Sequence, residues 1–495
     1  MLPLACASAV PLAAQQQSAP PTYHRGIDVV DYELLLELPD SGSAMEGRAV
    51  LAVARTGAVD TLRLDLIELR VDSVLVNNRP VAFVRDRSTI RIPLSPGTGE
   101  RFSVAVRYGG AVKDGLIIRT DSLGRWTAFG DNWPNRARHW IPSVDHPSDK
   151  ATVSWIVVAP SARRVVANGD LLEETPLPQR SLLPPRRGVV RQARTLTRWR
   201  ESKPIPVYLM VIAAAPLAYY DLGRSACGLT EVPGCVRQSV YVAPEVRDYL
   251  PGPFAQAGPI VDYFSSLVGP YPYEKLAHLQ SSTRFGGMEN ATAIFYSDQA
   301  FRSRNVPIGL IAHETAHQWF GNSVTAREWG HLWLSEGFAT YFAQLWTARS
   351  QGDSAFRAGM DGIRRQVIAS PVTAQRPVLD TAQTDYMELL NTNSYQKGAW
   401  VLHMLRAEVG DASFFAALRS YYERYRHGTA VTEELQREVE RAARTSLDWF
   451  FDQWLRRPGF IEARLAWRYD ARTRQIAVDV EQGARFAPYR FALTL

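Results

Sequence analysis

The hydrophobic period of this chain changes twice, and each change restricts what can pack on either side of it. Over residues 23–223 apolar and polar positions alternate in short runs, as in Tyr32-Glu33-Leu34-Leu35-Leu36-Glu37-Leu38 and in residues 49–54, 101–108 and 152–158. Gly, Pro, Asn and Asp punctuate these runs, which predicts an antiparallel β domain. Beyond about residue 253 the period lengthens to that of a helix, over 254–267, 308–320, 334–349 and 398–408, with further helices to 454. After Gly459 alternation returns in 463–469 and 476–480. A chain of 495 residues is too long for one core. The expectation is a multidomain α+β protein: a β domain over 23–223, a mostly helical domain over 224–458, and the first strands of a third unit over 459–495.

Within the helical part, residues 313–322 read His313-Glu314-Thr315-Ala316-His317-Gln318-Trp319-Phe320-Gly321-Asn322. Two histidines four apart on a helix project from one face, so their imidazoles can converge on one cation. Pro307 suits the start of that helix and Gly321 its stop, while Ile308, Ile311, Ala312, Ala316 and Phe320 form a stripe that buries it. Glu336, in Trp333-Leu334-Ser335-Glu336-Gly337-Phe338, follows after a gap that accommodates a loop and the first turn of a second helix. Zn²⁺ accepts imidazole nitrogen and carboxylate oxygen, and a catalytic zinc uses three protein ligands with one position left open. Glu314 sits on an adjacent part of the helix surface, which suits a base for the attacking water better than a ligand. Two histidines on an ordinary buried helix are the competing interpretation. The surrounding caps and the later glutamate favour a zinc hydrolase.

Two other segments offer chemistry. Gly286-Gly287-Met288-Glu289-Asn290 combines paired glycines, which permit close backbone approach to a ligand, with a carboxylate directly after them. A bulged strand with a solvated acid is the alternative. Tyr395, in Thr392-Asn393-Ser394-Tyr395-Gln396-Lys397-Gly398, lies at the start of an apolar helical run, and a phenol that stays protonated at neutral pH can donate to a developing oxyanion. Core packing is its bland alternative. His278, His331 and His403 have no partner at ligand spacing and read as structural.

The formal net charge of +6 owes much to Arg180, Arg186, Arg187, Arg191, Arg194, Arg198 and Arg200. Prolines interrupt that stretch and Trp199 is its one aromatic, so it reads as a solvated loop entering a strand and not as a nucleic-acid site. Residues 1–22 are small, apolar and then Gln/Pro-rich, like the end of a secretory leader, and Cys6 offers a lipid-attachment position. Cys227 and Cys235 flank a Gly/Pro-containing turn that a disulfide could close. Leader and cysteine pair predict an exported protein, periplasmic or secreted. No segment is long enough for a transmembrane helix.

Taken together, these motifs resemble the aminopeptidase N-type gluzincins, a zinc metallopeptidase family that includes the leukotriene hydrolases. The matching pieces are residues 286–290, 313–322, 333–339 and 395–398, in the family's order, and the likeness extends over roughly residues 23–495. The resemblance implies a saddle-like N-terminal β domain, a thermolysin-like catalytic domain and a C-terminal β-sandwich. It implies one Zn²⁺ held by His313, His317 and Glu336, with Glu314 as general base and Tyr395 as oxyanion donor. Glu289, within Gly286, Gly287, Met288 and Asn290, would grip the α-ammonium of a peptide with a free N-terminus. Four departures stand out. Gly287 replaces the family's alanine. Its Gln-x-Glu element finds only Asp131, two positions off. Residues 141–147 match their counterpart incompletely, and His331 stands where an acid is usual. The short third unit reads as a fragment of a sandwich, without the helical domain of longer members and with strand edges that invite association. An endopeptidase with weakened amine recognition, and a secreted peptide-binding protein with structural zinc, are the alternatives.

Overall fold

The computed structural model describes residues 26–177, 193–225, 236–250 and 252–492. The leader, Cys227, Cys235 and the arginines from 180 to 191 lie outside the described residues.

Alternation over the first two hundred residues builds an eight-stranded sheet. Its order is Asp170–Leu177, Arg194–Pro206, Lys150–Pro160, Ile27–Glu37, Ala44–Arg55, Arg101–Ala111, Arg70–Val76 and Arg79–Pro80. Tyr32, Leu34 and Leu36 point inward and are fully buried, as the period of two requires. Neighbours run antiparallel except Ile27–Glu37 and Lys150–Pro160, which pair in parallel with Leu34 opposite Trp155. Trp155 stacks on Trp140 at 5.7 Å between ring centroids and lies opposite Trp199. A four-stranded sheet (Arg164–Ala167, Ile212–Ala215, Trp126–Gly130, Leu116–Thr120) and a three-stranded one complete this β-rich domain. Of the remaining arginines of the basic stretch, Arg194 is buried and pairs with Asp40 at 2.8 Å, Arg200 pairs with Asp31, and Arg198 is exposed.

Residues 207–215 are buried, a 3₁₀ turn, Val207–Leu209, preceding a short strand, Ile212–Ala215. The next strand, Ala218–Ser225, leaves the β domain and pairs with Val236–Val242 in a five-stranded sheet. That sheet continues through Lys275–Ser281 and Ala293–Ser297 to an edge strand, Gly287–Met288. Helices Ala257–Val268, Ile308–Ala316, Trp333–Gln351, Asp353–Ala369, Gly398–Tyr425 and Thr432–Ala443 form the helical part of the second domain. The C-terminal strands Ala463–Asp470 and Gln475–Gln482 form a hairpin. No helix among the described residues is long and apolar enough to cross a membrane.

Buried polar contacts join the two large domains. Lys150 Nζ donates to the carbonyls of Asn322, Ser323 and Gly428 at 2.8–3.0 Å. Asn168 Nδ2 donates to Leu209 O and Ala291 O. An ammonium and an amide removed from water this completely are costly unless each proton is taken up, and each contact lies next to a segment of the candidate site.

Candidate metal centre and active site

His313 lies on the helix Ile308–Ala316, and His317 sits at its C-terminal boundary. The helix ends four residues earlier than the apolar stripe predicts. The amides of Trp319 and Phe320 both return to Ala316 O, and those of Asn322, Ser323 and Val324 reach back to the carbonyls of His317, Gln318 and Trp319. Gly321 takes φ +119 in this turn, and a Cβ there would fall 2.3 Å from Ser335 Oγ and 3.0 Å from His317 Nδ1. A side chain at 321 would therefore push against a candidate ligand. Glu336 occupies the first turn of Trp333–Gln351, as expected.

Three ligand-type atoms converge. His313 Nε2 and His317 Nε2 are 3.1 Å apart, and Glu336 Oε2 lies 3.3 Å from the first and 3.4 Å from the second. Tetrahedral ligands at metal–ligand distances of about 2.0–2.1 Å are themselves about 3.3 Å apart, so the spacing fits a zinc ion. Two further observations agree. Glu336 Oε2 is buried and accepts no hydrogen bond. His317 Nδ1 faces Phe320 O at 3.2 Å and Ser335 Oγ at 3.0 Å, a pairing that puts the ring proton on Nδ1 and leaves Nε2 with a lone pair for the metal.

Glu289 and Glu314 complete the cluster: one ligand atom from each lies within 4.8 Å of one on His317 and of the other. Burial pushes the Glu314 carboxyl well above the ordinary range, and Glu289 and Glu336 add to the effect against His317. Glu289 is raised by the same burial. Burial alone would lower both histidines. His313 is lowered, whereas Glu336 and Glu289 outweigh burial at His317 and raise it. Burial opposes ionisation of Glu336 too, but His317 and His313 outweigh it and hold this carboxyl low. Three carboxyl groups thus share a water-poor site with two imidazoles, and a divalent cation there would favour the ionised carboxylates.

Tyr395 lies in a π-helical turn, Asn393–Lys397, closed by Lys397 N to Thr392 O. Its ring is nearly parallel to that of His313 at 6.0 Å, and its hydroxyl is close enough to Glu336 to feel its charge. Burial and then the three nearby carboxylates push its pKa well up, so it remains a donor. Asn393 Nδ2 fixes the turn through Arg376 O and Pro377 O. Gly287 faces the cluster from the edge strand, and a Cβ there would lie 2.2 Å from Glu314 Oε1. The departure from alanine at this position leaves room for that carboxylate. Met288 and Asn290 are buried beside it, and both polar atoms of the Asn290 side chain lack partners.

Asp131 is fully buried but committed elsewhere, to Arg136 at 3.1 Å and Arg284 at 3.2 Å. Within residues 141–147, Asp145 pairs with Arg138 in the β domain. His331 accepts from Thr432 N, His278 bonds Tyr296, and His403 faces Tyr341. Sequence reasoning missed Tyr208, whose hydroxyl donates to Gly321 O at 3.4 Å and lies near enough to Glu289 and Glu336 to feel their charge. Nothing distinguishes it within its apolar run. It also left Gln318 and Asn322 without a role, although polar residues within and just after a buried apolar stripe were a usable signal.

The convergence of two imidazoles and a carboxylate beside a buried glutamate fits a zinc site, and residues 257–454 match the peptidase family M1 domain. That segment is similar to a family M1 catalytic domain, and the ligand set of the site fits a zinc cofactor. The chain is 26% identical over 471 residues to the Tricorn protease-interacting factor F2 of Thermoplasma acidophilum, covering 88% of this chain and 54% of that protein. To the leucyl aminopeptidase of Saccharolobus solfataricus it is 24% identical over 440 residues, covering 82% and 51%. It spans about half the length of these curated relatives. Among solved structures, a glutamate-to-alanine variant of the M1 zinc metallopeptidase from Deinococcus radiodurans superposes with TM-score 0.74 at 26% identity, covering 88% of this chain and 95% of that one. The same variant bound to a Tyr-Ser-Ala substrate gives 0.73 at 25% identity, with the same coverage.

Proposed function

We propose that this protein is a zinc aminopeptidase that releases N-terminal residues from peptides. The observation that carries this reading is the position of Glu289, whose carboxylate shares one cluster with Glu314 and the ligand His317. A peptide whose α-ammonium pairs with Glu289 has its first peptide bond beside the base and the metal ligands. His313, His317 and Glu336 would hold the zinc. The ion, when bound, supplies Lewis-acid polarisation of the scissile carbonyl and of the attacking water.

The remaining work belongs to the chain. Glu314 takes the water's proton on a carboxylate oxygen as the carbon–oxygen bond forms, and then delivers it to the leaving amine nitrogen. Tyr395 donates its hydroxyl proton in a hydrogen bond to the carbonyl oxygen as negative charge develops, an interaction worth about 3 kcal/mol when well placed. Glu289 sets the register, so that one residue leaves per turnover.

The leucyl aminopeptidase relative and the tripeptide-bound Deinococcus enzyme support this class of substrate. A second reading, endopeptidase action, draws on one observation: Asp131 is paired with two arginines, leaving Glu289 as the acid facing the ammonium. Hydrolysis of a matched pair of peptides, free and N-acetylated, tests the proposal. It requires a strong preference for the free form; equal rates would refute it. The leader and the Cys227/Cys235 pair support export, which N-terminal sequencing of protein recovered outside the cytoplasm would test.

A further inference from the structure

We infer that Gln318 and Asn322 are positioning residues that lock the substrate-gripping Glu289 to the turn that follows the metal-binding helix, an inference that rests on the aminopeptidase reading. The carbonyl of Glu289 accepts two side-chain amides, Gln318 Nε2 at 3.0 Å and Asn322 Nδ2 at 2.6 Å. Gln318 follows the ligand His317 directly, and Asn322 closes the turn behind it. Both side chains are fully buried, so water does not compete for these bonds.

Gln318 does more than satisfy one carbonyl. Its Oε1 accepts Thr292 N at 3.0 Å, so a single amide bridges the turn from Glu289 to Thr292 with its donor at one end and its acceptor at the other. Thr292 adopts φ +62, a left-handed conformation that a β-branched residue avoids unless its surroundings impose it. The far side of the turn is held by other parts of the molecule. Asn168 Nδ2 donates to Ala291 O, Gly169 N to Thr292 Oγ1, and Lys275 Nζ to Thr292 O. Among these side-chain and backbone contacts, Gln318 and Asn322 supply the ones that reach the metal-binding segment. They therefore set where the Glu289 carboxylate stands relative to His317 and Glu314. Asn322 Oδ1 is left without a partner, consistent with a side chain held by its donor end.

A purely structural role would weaken every ligand alike, whereas a positioning role acts on the part of affinity that depends on the ammonium. The test compares zinc-loaded wild type, Gln318→Met and Asn322→Ala by calorimetric titration. The probes are leucine hydroxamate and 4-methylpentanohydroxamate, which share the metal-chelating group and differ by the amine. Wild type should prefer leucine hydroxamate. Both variants should retain one zinc per chain and bind the amine-free hydroxamate as wild type does. The preference should shrink by about ten- to a hundredfold in Gln318→Met, and by less in Asn322→Ala. Should Gln318→Met fail to fold, Asn322→Ala decides alone. An undiminished preference in the folded variants, or an equal loss for both probes, overturns the inference and leaves the aminopeptidase reading standing. No preference in wild type overturns that reading and this inference with it.

Discussion

Gly337 and Gly398 touch where the helix bearing Glu336 crosses the helix that follows Tyr395: a Cβ on Gly337 would lie 2.9 Å from the Gly398 Cα. Two backbones this close leave no room for a methyl group, and the contact brings the turn containing Tyr395 onto Glu336. Gly337→Ala should therefore overpack the crossing, costing about 1–3 kcal/mol, and should displace Tyr395. Denaturant unfolding and steady-state kinetics should show lower stability together with a fall in kcat larger than any rise in KM. Unchanged kcat would mean that the crossing does not set the Tyr395 position.

Ser335 lies 3.0 Å from His317 Nδ1, on the side of the ring away from the cluster. Groups that orient a metal-binding histidine typically contribute about 10–100-fold in metal affinity. Phe320 O shares the same nitrogen at 3.2 Å, so Ser335→Ala should weaken zinc binding by about tenfold, the low end of that range. Competition with a calibrated chelator measures this directly.

Asp131→Asn separates an electrostatic role in substrate binding from one in folding. Asp131 is fully buried and pairs with Arg136 and the half-exposed Arg284, which Asp114 also reaches, so the substitution removes part of the compensating charge, at about 1–3 kcal/mol. Stability should fall, while the preference for free over N-acetylated peptide should persist in the protein that remains folded. Loss of that preference would place Asp131 in the amine subsite after all.

His278 gives the fold an acid-sensitive element. Burial pushes its pKa down to about 3 from an ordinary 6.5. The unfolded chain therefore takes up this proton first as pH falls. The resulting stability is complete above about pH 6.5 and is lost progressively toward pH 3, by up to about 4 kcal/mol. His278 Nδ1 bonds Tyr296, and a glutamine can replace that contact. His278→Gln should show a smaller drop in unfolding free energy between pH 7 and pH 4.5 than wild type. Parallel declines would exclude His278 as the source.

The ligands and the base were legible because a metal restricts residue type and spacing at once: His313, Glu314, His317 and Glu336 each stand where the motif requires. The extent of the motif helix was not. Its apolar stripe continues to Phe320, but tertiary burial, not helix, accounts for the last positions, and the backbone turns back on itself from His317. Strand periodicity identified the β-rich domain but carries no information on partners. Neither the parallel pairing of Ile27–Glu37 with Lys150–Pro160 nor the entry of Ala218–Ser225 into the catalytic sheet could be read from it. The helix crossing at Gly337 and Gly398 left a trace in the sequence, a glycine directly after Glu336 and another three residues after Tyr395, yet only the packing explains it.

The most direct measurement is metal content and peptide hydrolysis on the same sample of Glu314→Gln. Glu314 touches the cluster without being one of its three convergent ligand atoms, so the variant should retain one zinc per chain. It should lose turnover by about a hundred- to ten-thousandfold, the range that a general base supplies. Undiminished hydrolysis in that variant, or a metal-replete wild-type protein holding no zinc at His313, His317 and Glu336, would contradict the zinc-and-glutamate mechanism outright.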